Sequence, residues 1–326
     1  MKRRQFITLL AGAAAAWPLA ARAQQGDRVR LVAMVSPFVA DDPLLQARIA
    51  FFARALHERG WVEGRNIRID HRSVPTALDR IQALAAELVA LGPDLIVAST
   101  TILVQELQRR TSRIPIVMVG IGDPAESGVV SSLARPGSNI TGFLNYEPVI
   151  AGKWLELLKE IAPRTNRVLF LDRGSASTAN LVRMSEATAP ALGVRLTATT
   201  VLDRNAIEQA IAAIAAESNS GLVVPAAFAG ERDLIIALAN RYRLPAVYPY
   251  RSLAVEGGLM SFGPDIDVMW LSAVSYVDRV LRGEKPGELP VQGPVKFELV
   301  VNQKTAKAIG LDIPSTLLAR ADEVIE

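Results

Sequence analysis

GPDLIVASTTILVQELQRRTSRIPIVMVG, residues 92–120, decides the fold class of this 326-residue chain. Leu95 to Ala98 form an unbroken apolar run that ends in the hydroxyl triplet Ser99-Thr100-Thr101. A helix is expected from about Thr101 to Arg110, and IPIVMVG (114–120) reads as a second buried strand. Continuous apolar, β-branched strands separated by a helix are the mark of parallel strands covered on both faces.

The same alternation runs outward in both directions. Upstream, VRLVAMVS (29–36) is a strand, and Leu45, Ile49, Phe52 and Leu56 recur at helical spacing behind it. NIRID (66–70) alternates as a strand, and Thr76-x-x-Asp79 reads as a capping box before the stripe Ile81, Leu84, Leu88 and Leu91. Downstream, Ile150, Trp154, Leu157 and Ile161 mark a helix, RVLFLD (167–172) a strand, and a further helix runs to about Leu192. VRLTATTV is the next strand, and Asn205-x-x-Glu208 is read as the cap of a helix carrying Ile207, Ile211 and Ile214. GLVVPAA and LPAVYPY are strands around a helix at 230–242, and this unit echoes residues 92–120, with Pro115 and Pro245 in matching places. The echo predicts two lobes built alike. GGLMSFGPD (257–265), a helix with Trp270, Val274, Val277 and Leu281, and a final strand suggest that the chain crosses between lobes repeatedly, near Gly142, Gly263 and Gly293. LARADEVIE is expected as an amphipathic tail on the second lobe. The expected fold is α/β: two Rossmann-like lobes with parallel sheets.

The N-terminus reads as an export signal, residues 1–23. Lys2, Arg3 and Arg4 precede an apolar stretch from Phe6 to Ala16, too short to span a bilayer, and Ala21-Arg22-Ala23 is a small-residue cleavage site. Arg3-Arg4-Gln5-Phe6-Ile7 resembles the twin-arginine motif, which leaves two export routes open. The whole chain carries +3; the leader holds four basic residues and no acid, so removing it leaves −1. That balance offers no reason to invoke nucleic acid. With no cysteine there is no disulfide, thiol nucleophile or lipid-anchored N-terminus. His57 and His71 are the only histidines and are not at metal-ligand spacing. No phosphate loop and no G-x-S-x-G occurs, so no cofactor, metal or catalytic group is expected.

GDPAESGVVSSLARPGSNITGF, YPYRSLAVEGGLMSFGPD, LRGEKPGELPVQ and KFELVVNQKTAKAIGLDIPSTLLARADEVIE together resemble the ABC-transporter substrate-binding family whose best-known members bind aromatic amino acids such as tryptophan. The likeness covers essentially the whole chain. It implies the type I periplasmic-binding-protein architecture: two lobes joined by three crossover strands, with a ligand cleft between them. By that likeness the first lobe is 26–143 plus 264–293 and the second 144–263 plus 294–326. It further implies a periplasmic, monomeric solute receptor for an ABC importer, with a membrane permease as partner and a small carboxylate-bearing ligand. An exported α/β enzyme and a sensor docking on a membrane receptor stay open as alternatives.

In such an architecture the ligand meets strand carboxyl ends and helix N-termini, where unpaired N–H groups and the helix dipole favour an anion. Ser99, Thr100 and Thr101 sit at one such junction, as carboxylate donors or as a plain helix cap. Ser36 and Phe38 end the first strand as a donor and an apolar wall. Asp123 ends another, placed either to pair an ammonium or to open a helix ahead of Pro124. In the second lobe Asp172 and Ser175 belong to FLDRGSAST, which departs from the Asn-Pro stretch common in the family there. Phe228, Tyr250 and Arg251 are read as a stacking face and a cationic partner.

Overall fold

A computed structural model describes residues 28–37, 41–74, 77–145 and 148–326. The export signal, Phe38 and Thr76 therefore lie outside the described residues.

The first sheet has five parallel strands: β1 (Arg30–Ser36), β2 (Ile67–Ser73), β3 (Leu95–Ala98), β4 (Ile116–Ile121) and β5 (Ile140–Leu144), in the order β2-β1-β3-β4-β5. Successive residues of β1 point to opposite faces, so each face gathers its own core. Val32 and Met34 join Phe52 and Leu56 of α1 (Pro43–His57). Ala33 and Val35 join α2 (Leu78–Leu91), through Ile81, Leu84 and Leu88, and α3 (Thr101–Arg110), through Leu103, Val104 and Leu107.

After β5 the chain enters α4 (Ile150–Ile161), whose Trp154 is buried in a separate core and donates from its indole nitrogen to the Phe262 carbonyl at 2.7 Å. Then follow β6 (Arg167–Asp172), α5 (Ala176–Thr188), β7 (Arg195–Thr200), α6 (Arg204–Ala215), β8 (Ser220–Val223), α7 (Arg232–Arg241), β9 (Ala246–Tyr248), α8 (Arg251–Val255) and β10 (Met260–Pro264). The chain next forms α9 (Ile266–Leu281), which leaves this sheet and buries Trp270, Ala273, Val274 and Val277 on the first one. It comes back as β11 (Phe297–Asn302), α10 (Gln303–Ile309), α11 (Ser315–Leu318) and β12 (Glu323–Ile325). The second sheet runs β12-β11-β10-β9-β8-β6-β7, parallel except that β11 lies antiparallel to β10.

The internal echo holds at the level of hydrogen bonds. The order β7-β6-β8-β9-β10 repeats β2-β1-β3-β4-β5. The Pro115 carbonyl accepts from Ile96 N at 2.9 Å, and the Pro245 carbonyl accepts from Leu222 N at 2.8 Å. Each proline thus enters its strand where an acceptor is needed and a donor is not. Local details differ from expectation at two points. Asp203, not Asn205, caps α6, accepting from Ala206 N at 2.8 Å. The C-terminal LARADEVIE contributes an edge strand, β12, because Glu323, Val324 and Ile325 pair with Val300, Val301 and Asn302.

Candidate functional site: the gap between the sheets

The carboxyl ends of the parallel strands in the two sheets face each other. Asn180 Nδ2 on α5 donates to Asp123 Oδ2, beyond β4, at 2.8 Å. Arg183 on the same helix reaches Glu126 at 2.8 Å. Arg232 Nη2, at the start of α7, lies 3.0 Å from Asp42 Oδ2, just ahead of α1. The Asn145 side chain, past the end of β5, hydrogen-bonds the Tyr250 hydroxyl past the end of β9. At Gly122 a Cβ would stand 2.0 Å from Ser177 Oγ and 3.1 Å from its Cβ, so the β4 loop approaches α5 closely here and a larger residue would require Ser177 to move.

On the first-sheet wall, Thr100 occupies the N-cap position of α3 in an extended conformation, yet its side chain caps nothing. Its Oγ1 is buried with no hydrogen-bond partner. Ser99 Oγ donates to the Val35 carbonyl at 3.3 Å, and half-buried Thr101 opens the helix. Ser36 is fully buried, its Oγ 3.1 Å from His71 Nε2; it forms the floor rather than the surface of the gap. Burial pulls the His71 imidazole below its usual range, with Asp70 opposing. Asp123 opens no helix. It sits at φ 36°, its Oδ1 accepting from Glu126 N at 3.1 Å and its Oδ2 taken by Asn180.

On the opposite wall the expected residues are mostly engaged within their own lobe. Asp172 accepts from Gly174 N at 2.9 Å and from Thr200 Oγ1 at 3.0 Å, and also takes the Thr178 hydroxyl. Ser175 caps α5 in a reciprocal box with Thr178. The N-terminus of α5 is therefore closed by protein groups, while that of α3 has no side-chain cap. Phe228 does not line the gap as a stacking face. It is 0 % exposed in the core beneath α7, and the Arg173 guanidinium covers its ring at 4.1 Å. Arg251 is held bidentately by Glu323 of β12 at 2.5 and 2.8 Å. Tyr250 does stand at the gap: burial pushes its hydroxyl up to about 12, against the opposing effects of Asn145 and Arg48.

Two residues of this region, Arg48 and Asn145, are not among those the sequence reading singles out. Arg48 on α1 stacks over Trp270 at 5.4 Å, and burial lowers its pKa despite Tyr250, Asp267 and Asp42 nearby. Asn145 is buried, and its Oδ1 has no partner. A polar residue directly after the apolar strand ITGFL was the available cue for Asn145; Arg48 lies within an ordinary helical pattern. Among the described residues no cluster of His, Asp and Glu could hold a metal, and no helix is long and apolar enough to cross a membrane.

The family model for ABC transporter substrate binding proteins matches residues 32–325. A tyrosine-binding protein of Clostridioides difficile (strain R20291) is 26% identical over 274 residues, 83% of this chain and 79% of that one. Among solved structures, a conserved domain protein from Vibrio cholerae is 28% identical with a TM-score of 0.83, covering 91% of this chain and 100% of its own. A Streptococcus pneumonia ABC domain in complex with L-Trp is 25% identical with a TM-score of 0.82 and the same coverage.

Proposed function

The chain belongs to the ABC transporter substrate-binding protein family, and from that premise we propose that it is the periplasmic solute receptor of an importer. It is a solute-binding protein, not an enzyme. In this reading residues 1–23 export it and are removed, residues 26–143 plus 264–293 form one lobe, and residues 144–263 plus 294–326 form the other. The lobes close on an amino acid, the closed form docks on a membrane permease, and the protein acts as a monomer.

The observation that carries this reading is the uncapped N-terminus of α3, opposite the second sheet, with Thr100 Oγ1 buried and unpartnered. Free N–H groups, the helix dipole and short hydroxyls of Ser99, Thr100 and Thr101 suit a carboxylate. Asn145 Oδ1, the second unpartnered oxygen in the region, is a neutral acceptor suited to an ammonium. Asp123 is not assigned that role, because Glu126 N and Asn180 Nδ2 already hold its carboxylate in place within the contact between the sheets. Tyr250 supplies the aromatic surface, and Phe38 remains assigned as an apolar wall. The tyrosine-binding relative and the L-Trp complex favour an aromatic amino acid over other zwitterions.

Thermal denaturation with L-tyrosine, L-tryptophan and non-aromatic amino acids tests this. Ligand at one hundred times its Kd stabilises the native state by about 2.7 kcal/mol, a clear rise in Tm. If no amino acid or aromatic acid raises the Tm, the assignment of ligand class is wrong.

A further inference from the structure

Phe52, Trp270 and Arg48 form a stack that leads from the first core to the gap. Trp270, near the start of α9, is 2% exposed, so its own ring is out of a ligand's reach. Phe52 of α1 meets it edge-on, with ring centroids 5.9 Å apart and planes at 90°, which fixes its orientation. Arg48 stands one helical turn before Phe52 on the same face of α1 and lays its guanidinium over the Trp270 ring, 5.4 Å from the centroid. Arg48 is itself only partly exposed, and it lies within electrostatic reach of Tyr250 on the opposite wall, and of Asp267 and Asp42. The guanidinium thus sits where the aromatic stack of the first wall meets the gap. Arg54, in the last turn of the same helix, lies over Phe51 at 5.6 Å, but it is exposed. A cation in water gains little from an aromatic face, and one held out of water gains more.

We propose that Arg48 is the residue that selects an aromatic ligand: its planar guanidinium, backed by Trp270, takes the ligand's ring on its other face. This rests on the reading of the gap as an amino-acid site. A guanidinium is flat and weakly hydrated, and it stacks on aromatic faces where an ammonium does not. Its five N–H donors lie in its plane, so the polar partners it has there do not compete with a ring stacked above. Burial holds Arg48 below its usual range, with Tyr250, Asp267 and Asp42 opposing, so its charged form is short of solvation. The negative face of an aromatic ring supplies part of what water would have given, and an aliphatic side chain of equal size supplies none. The carboxylates of Asp42 and Asp267 offset the charge of Arg48, so that it does not repel a ligand ammonium at Asn145.

Calorimetric titration with L-tryptophan and L-tyrosine, and with forms of each carrying successively more ring fluorines, tests this. Fluorine withdraws electron density from the ring face and leaves the ligand's carboxylate and ammonium alone. In the parent, each added fluorine lowers affinity, so the logarithm of Kd rises steadily along the series. Arg48→Met keeps the reach of the side chain without its charge. It is expected to bind the unfluorinated ligands about tenfold more weakly and to lose most of the gradient. Arg48→Gln serves in its place should the methionine variant not fold, and flattens the gradient in the same way. Arg48→Lys keeps the charge without the plane and holds a shallower gradient than the parent. Arg54→Met keeps the parent's affinity and gradient. A variant of Arg48 that weakens every ligand alike, with the gradient intact, shows a structural residue and overturns the proposal. So does a flat gradient in the parent, or an equal loss in Arg54→Met, and in each of these cases the amino-acid site itself stands. If neither L-tryptophan nor L-tyrosine binds the parent, the assigned ligand class fails and the role of Arg48 falls with it.

Discussion

Thr100 and Asn145 each bury an oxygen that bonds to nothing else in the chain. A buried, unsatisfied polar group costs about 1–3 kcal/mol; among the described residues Ser127, Ser185, Tyr248 and Ser261 carry one as well, and it is their place at strand ends bordering the gap that sets Thr100 and Asn145 apart. Ligand completes both in the proposed reading, and this gives a prediction with opposite signs. Thr100→Val keeps the shape and removes the hydroxyl. Its urea midpoint without ligand is expected to match or exceed the parent's. Its affinity for L-tyrosine, read by calorimetry, is expected to fall about tenfold, or ~1.4 kcal/mol. A loss of stability with unchanged affinity would make Thr100 a structural cap instead. At this scale the sequence was only half legible. Ser99-Thr100-Thr101 stood out because a strand end met a helix start, and the geometry of that junction is local. Phe228 looked equally suitable after a strand, but its ring is turned into the core below α7 and covered by Arg173, a packing choice no spacing encodes.

The elements themselves were written plainly in the chain. Apolar runs such as Leu95–Ala98 give buried strands because both faces of each sheet are covered, and the helical stripes behind them supply the cover. What the pattern could not fix was the cap of α6, where Asp203 and Asn205 lie two residues apart and either side chain can accept an N–H bond. Nor could it identify β12, whose pairing depends on β11, more than twenty residues earlier in the chain. The positions where elements meet most tightly are glycines. At Gly142, in β5, φ is 146° and a Cβ would stand 1.9 Å from the Met118 carbonyl oxygen of β4. Neither strand can give way, since both lie in the paired ladder. Gly142→Ala is expected to cost about 3 kcal/mol by overpacking. Gly230→Ala, with nothing within 4 Å of its added methyl, is expected to stay within about 0.5 kcal/mol. Paired urea denaturation curves check both; equal midpoints would show that β4 and β5 are not packed as described.

Two sheets of matching strand order invite the idea of two independent halves joined end to end, and the connectivity argues against it. The chain leaves the first sheet after β5, yet Trp270, Ala273, Val274 and Val277 of α9 come back to cover one of its faces. Without α9, the face of β1, β3 and β4 carrying Met34, Val97, Val117 and Val119 would lose part of its cover. Burying a side chain such as Trp270 or Val277 is worth about 1.5–3 kcal/mol each, comparable in sum to the whole stability of a typical domain. The contacts that make the gap have the same non-local character. Asp42 and Arg232 are 190 residues apart and Asp123 and Asn180 are 57 apart, which is why the sequence located the gap through the fold and not through its own spacing. Residues 28–145 alone are therefore expected to lack cooperative unfolding and near-ultraviolet dichroism. The same segment joined by a flexible linker to residues 265–293 is expected to unfold in a single sharp urea transition and to show near-ultraviolet signal from Trp270. The comparison isolates one helix as the difference between a lobe and an incomplete half. A cooperative transition in the shorter fragment would mean that α9 is a passenger on the first sheet, and that the boundaries of the lobes fall at the single crossing after β5.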